Sequence, residues 1–166
     1  MNYGVILIEA AVFAALFTIG VFSATRNLDD PANVHNYPED IQEEYFKTHE
    51  RVDVSYKSRK VIVTKSIGIL LFTLILALCA HFAGARTFMD GFIVGALLMV
   101  FIGCYDTFFI DWILFANIKA FRLEGTEHMD EAYHQKWFHV KGMLFPGSVF
   151  MVIVGVLTGL VTMLLH

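Results

Sequence analysis

The stretch from Gly91 to Phe115, GFIVGALLMVFIGCYDTFFIDWILF, decides the fold. A helix of about 20 apolar residues crosses the roughly 30 Å hydrocarbon core of a bilayer. Here a longer run holds only two charged side chains, Asp106 and Asp111. Three more stretches meet the same requirement: Tyr3 to Ser23, Val61 to Phe82 and Pro146 to Leu165. The first has no basic segment before it and no A-x-A site after it, so it reads as a retained helix and not as a secretory signal. The expected fold is an all-α integral membrane bundle of four transmembrane helices in one domain, with the lipid bilayer as its main solvent.

Composition agrees. Of 166 residues 57% are hydrophobic, sixteen are Phe and only 17% are charged, outside the range of soluble globular chains. The net charge of -4 is spread over the loops and gathers into no tail, which argues against nucleic-acid binding. Cys79 and Cys104 sit in apolar runs without a C-x-x-C spacing, so they read as small buried hydrophobes and not as redox or zinc-binding thiols.

Lys and Arg set the expected orientation. The loop from Ala24 to Lys60 carries Arg26, Lys47, Arg51, Lys57, Arg59 and Lys60, and the loop from Ala116 to Phe145 carries Lys119, Arg122, Lys136 and Lys141. The loop between the second and third spans carries only Arg86. Both long loops are therefore expected in the cytoplasm of a cell-membrane protein whose termini lie outside. Trp112 and Trp137 then fall at the inner boundary, where indoles prefer to sit.

Each long loop predicts a short amphipathic helix. Pro38 followed by Glu39 and Asp40 is a good helix start, and Ile41, Tyr45, Thr48 and Val52 share one stripe, giving a helix from about Pro38 to Val52. Thr126 suits an N-cap for a second helix, with Met129, Tyr133, Trp137 and Val140 on one face and Gly142 at its end.

Small residues mark the packing faces between spans. Gly91, Gly95, Gly103 and Thr107 line the third, Gly155, Thr158, Gly159 and Thr162 the fourth, and Ala10, Ala14 and Thr18 the first, beside Ala11 and Ala15. They suit packing within the chain, and also a homo-oligomer or a membrane-protein partner.

Ionisable groups inside spans are costly, so Glu9, Lys65, Asp106 and Asp111 are the first functional suspects. Glu9 belongs to the outer third of the first span, away from the others. It reads either as a protonatable transport site or as a carboxyl bonded to a neighbouring helix. Asp106 cannot reach the headgroups as a lysine can, and Lys65 at similar depth is its expected ion-pair partner. On an α-helix Asp111 lies about 140° round from Asp106, which argues against a same-face carboxylate pair. His139, at the boundary before the fourth span, is expected near Asp111. Glu127, Glu131 and His134 offer an E-x-x-H spacing that suits a divalent ion, but a single copy reads more simply as a solvated helix face.

Tyr37-Pro38 with Ile41-Gln42, Asp106 with Asp111-Trp112, Gly125-Thr126-Glu127, and Phe138-His139 with Lys141-Gly142 together resemble a group of small bacterial integral membrane proteins of unknown function. The resemblance implies no activity, but it gathers Asp106, Asp111, Trp112, Glu127 and His139 at the inner end of the bundle. Three functions are compatible with the sequence. The first is a small transport or binding protein with Asp106 and Asp111 as ligands and Lys65 as counter-charge. The second is an assembly or regulatory subunit without chemistry. The third is a membrane enzyme acting on a lipid-like substrate, with His139 or Asp111 as general base. No cofactor is indicated.

Overall fold

The computed structural model describes residues 1–25, 31–51 and 59–166; Arg26, Val52 and Lys57 lie outside them. Among the described residues the secondary structure is entirely helical. The elements are α1 (Tyr3–Ala24), α2 (Pro31–Val34), α3 (Glu39–Tyr45), α4 (Arg59–Phe82), α5 (Phe88–Tyr105), α6 (Asp130–Tyr133), α7 (Lys136–Gly142) and α8 (Ser148–Leu164). A π-helix, Asp106–Phe115, extends α5 without a break, and a kinked segment, Met143–Gly147, leads into α8.

Four helices are long and apolar enough to cross a membrane: α1, α4, α5 with its extension, and the helix that ends at Leu164. Their outward faces are apolar, with Leu7, Leu16, Leu70, Phe82 and Leu164 all at least half exposed. Such a surface suits lipid and not water. The ends are fixed by local chemistry. Asn2 accepts the Gly4 and Val5 amides at 3.0 and 3.3 Å. Thr87 and Asp90 form a reciprocal capping box at the start of α5.

The densest packing joins α5 to α8, and it is glycine that lets the two backbones approach. A Cβ added to Gly91 would collide with Thr162, one on Gly95 would come within 2.9 Å of Thr158, and one on Gly159 within 2.7 Å of the Phe88 carbonyl. The small-residue faces of the third and fourth spans are thus used against each other inside the chain. On α1, Ala10 is buried whereas Ala11 and Ala15 face outward. Gly159→Ala should therefore cost about 1–3 kcal/mol through overpacking. Gly20→Ala and Gly68→Ala, which meet nothing within 4 Å, should cost nothing. Thermal unfolding of the three variants in detergent checks this, and equal melting temperatures would refute the tight α5–α8 seam.

Both long loops gather at one end of the bundle and share a second core, made of Val34, Tyr37, Ile41, Tyr45, Phe115, Phe121, Leu123 and Tyr133. Tyr37 donates its hydroxyl to the Phe121 carbonyl at 3.0 Å. The Leu123 amide donates to the Tyr133 hydroxyl at 3.0 Å, and Thr126 meets that hydroxyl at 2.7 Å. Arg122 stacks on the Tyr133 ring at 3.8 Å and bonds the Ala116 carbonyl and Asp130. Gln135 donates to Asp40 at 2.7 Å, tying one loop to the other.

Two loop expectations need correction. The first amphipathic helix stops at Tyr45, capped by Phe46, instead of running to Val52. Its stripe is right as far as it goes, since Ile41 and Tyr45 are buried. The second is broken at His134 and Gln135 into α6 and α7. Thr126 is not its N-cap, because the hydroxyl is engaged by Leu123 and Tyr133. Tyr133 turns into the loop core, and Trp137, expected on the same face, is 74% exposed.

Candidate functional site

The π-helical extension of α5 builds the site. In a π-helix the backbone bonds run i→i+5, and here the Ala116 amide donates to the Asp111 carbonyl. Residues five apart then stack along one face, so Asp106 and Asp111 come to the same side, against the α-helical expectation. Both line a cavity of about 980 Å³ at the loop end of the bundle. Its other walls come from the end of α1, the segment before α3, α7 and the bend before α8.

α7 delivers the third group. His139 Nδ1 lies 2.9 Å from Asp111 Oδ2, with the two side chains only 9% and 19% exposed. The imidazole is clamped between Phe115 and Phe138, edge-on at 5.2 Å to each. With Nδ1 held by Asp111, Nε2 is the ring's remaining polar atom, and it is buried without a hydrogen-bond partner among the described residues. In a neutral His139 that donates from Nδ1, Nε2 is the unprotonated nitrogen, and the side chains around it enclose it.

Asp106 differs from Asp111. It has no hydrogen bond or salt bridge among the described residues, yet it lies within electrostatic reach of both Asp111 and His139. The cavity supplies Lys141 as a further charged side chain, and it is exposed to solvent. Elsewhere the lining is mainly apolar, with Met99, Ile102, Met143, Phe150 and Met151 prominent. The arrangement can hold a polar group on the Asp106 carboxyl, share a proton within the Asp111–His139 pair, and bury an apolar body beside them.

The other candidates stand apart from this cavity. Lys65 does not line it and does not form the expected ion pair with Asp106. The reason lies in α4: among its described side chains the first buried one is Thr73, so the turn that carries Lys65 faces outward. Glu9 sits beside Cys79 of α4, with Oε2 buried and lacking a hydrogen-bond partner among the described residues. Glu127, Glu131 and His134 are exposed, and His134 Nδ1 turns back to the Asp130 carbonyl at 2.7 Å. Among the described residues no three His, Cys, Asp or Glu side chains cluster as a metal site.

Sequence reasoning missed the contribution of the first loop, where Asn33, His35 and Asn36 border the cavity. It also missed the bend before α8. There Phe145 leaves helical geometry, with φ -151° and ψ 125°, and Pro146 follows. The proline was a visible signal, read only as the start of a span. No family model matches this chain, and neither a curated protein nor a solved structure matches it.

Proposed function

We propose that this is a small membrane binding or transport protein whose ligand occupies the cavity at Asp106, Asp111 and His139. The supporting observation is the Asp106 carboxyl, which borders a large, mainly apolar cavity and has no hydrogen-bond or salt-bridge partner among the described residues. Asp106 is half-buried, and a carboxylate partly withdrawn from solvent without a partner is costly, so a structural role alone leaves its presence unexplained. In this reading the bundle spans the cell membrane, the basic loops face the cytoplasm, and the site lies near the inner boundary. Lys141, not Lys65, is the lysine that lines the cavity.

Native mass spectrometry after mild detergent release tests the reading. Wild-type protein should retain a small ligand that Asp106→Asn loses by tenfold or more, with the melting temperature of the empty variant unchanged. Equal ligand content in both would remove Asp106 from the site.

The Asp111–His139 pair favours a second reading, a membrane enzyme acting on a lipid-like substrate with His139 as general base. The observation behind it is the carboxylate on Nδ1, which orients the ring and leaves Nε2 as the unprotonated nitrogen. Turnover of a retained lipid, abolished in His139→Gln, would raise this reading above the first.

A further inference from the structure

We infer that the ligand of this cavity is a membrane lipid that inserts one acyl chain into the bundle from the surrounding bilayer. The inference rests on the binding reading above and adds the chemical class and the route of entry. It starts from α4. A span in a bundle buries one face along its length, yet Arg59 and Ile62 to Gly68 of α4 are all exposed, and packing begins only at Ile69, Phe72 and Thr73. Further along, Leu76 and Ala80 belong to the bundle core.

The cavity is level with those exposed turns. α1 and α4 run antiparallel, tied at Asn2 to Ala83 and at Phe13 to Phe72. Val21 and Ala24 of α1, which line the cavity, therefore stand at the height of the first turns of α4. The cavity also lies on the inward side of α5. Ile102 follows the buried Leu98 and Met99 by four and three residues and continues their stripe, whereas Leu97, Val100 and Phe101 face outward. Among the described residues, none of those lining the cavity belongs to α4. The space of about 980 Å³ is thus the part of the core that the first turns of α4 leave unfilled. Protein interiors are close-packed, so a gap of this size inside a bilayer takes up what surrounds it. The outward side chains at this depth are apolar, Ile62 and Ile67 on α4 and Val149 and Val152 on α8, so the surroundings are acyl chains.

The order of the wall matches an amphiphile lying along the membrane normal. Along α5 towards the loops, Met99 and Ile102 precede Asp106 and Asp111. On the facing wall Met151 and Phe150 lie deeper than His139 and Lys141, and Asn33, His35 and Asn36 border the loop end. The titratable groups of the wall, Asp106, Asp111, His35, His139 and Lys141, include both signs. The chain, and not the charge of the headgroup, therefore defines the class. The polar end meets the headgroup, and the methionines give the chain an adaptable surface.

The test uses the full chain in phosphatidylcholine nanodiscs doped with a phosphatidylcholine that carries a photoreactive diazirine near the end of one acyl chain. Adducts are mapped by peptide mass spectrometry. In wild-type protein the inward Ile102 and Met151 should be labelled within about threefold of the outward Leu97 and Val100. Ile102→Trp, which fills the apolar part and leaves the polar groups in place, should lower labelling of Met151 about tenfold and leave Leu97 and Val100 unchanged. Thermal unfolding reports whether that variant folds, and the wild-type ratio needs no variant. Inward labelling tenfold or more below outward labelling in wild type overturns the inference. Undiminished Met151 labelling in folded Ile102→Trp also overturns it, because the chain then lies outside the cavity. Native mass spectrometry separates this failure from that of the binding reading. If inward labelling is absent yet wild-type protein retains a ligand that Asp106→Asn loses, the class is wrong and the binding reading stands; if it retains none, both fall.

Discussion

Asp111→Leu is expected to cost about 3–5 kcal/mol of stability, and adding His139→Phe is expected to restore most of it. The pair is 2.9 Å long and both side chains are largely withdrawn from solvent. Removing the carboxylate strands an imidazole whose other nitrogen is already without a partner. Both ring nitrogens are then buried and bare, the costly case for a polar group in an apolar setting. Replacing both partners by apolar side chains removes the polar groups along with the need to satisfy them, and the Phe115 and Phe138 rings offer a phenyl ring good company. Unfolding of the two single variants and the double variant in mixed micelles gives the coupling energy directly. Additive costs would show that the two residues do not act as a pair. Ligand binding should weaken in all three, which separates the contribution to stability from the contribution to the site.

Tyr133→Ala should be as damaging at the other core, costing about 3–5 kcal/mol, whereas Tyr133→Phe should cost about 1–3 kcal/mol. The ring is 1% exposed, lies against Tyr37 and Phe115 and carries the stacked Arg122 guanidinium. Its hydroxyl receives the Leu123 amide and meets Thr126. The alanine variant opens a cavity and also orphans these polar groups, and the phenylalanine variant does only the latter. Hydrogen exchange of the Leu123 amide reads the difference, faster in both variants and fastest in alanine. Unchanged exchange in Tyr133→Ala would mean that the loops do not form a packed cap.

The four long apolar helices were legible because a bilayer-length apolar run has few other uses, and Gly91, Gly95 and Gly159 marked close-packing faces without saying that α5 and α8 turn them on each other. The pairing of His139 with Asp111 was legible too, since both residues fall at the same end of adjoining spans. Three things were not. The loop core depends on Tyr37, Tyr45 and Tyr133 meeting across two distant segments, and helical periodicity reports only neighbours within a segment. The break at His134 and Gln135 carries neither Gly nor Pro, the residues that mark helix ends in a sequence. The same-side placement of Asp106 and Asp111 was hidden because residues 106–115 are apolar on nearly every side. No polar stripe betrayed the change of helical period, and Lys65 was paired by depth alone when the turn carrying it faces away.

The π-helical segment Asp106–Phe115 has a consequence for descent as well as for geometry. A residue inserted into an α-helix is absorbed locally as a wider turn, so the Gly91–Gly95 seam before it keeps its registration while everything after it is turned. Among diverged copies of this gene, a single-codon gap should therefore fall inside this segment and not in the loops around it. Copies that carry the gap would keep the bundle but lose the alignment of the two carboxylates, separating the history of the scaffold from the history of its site.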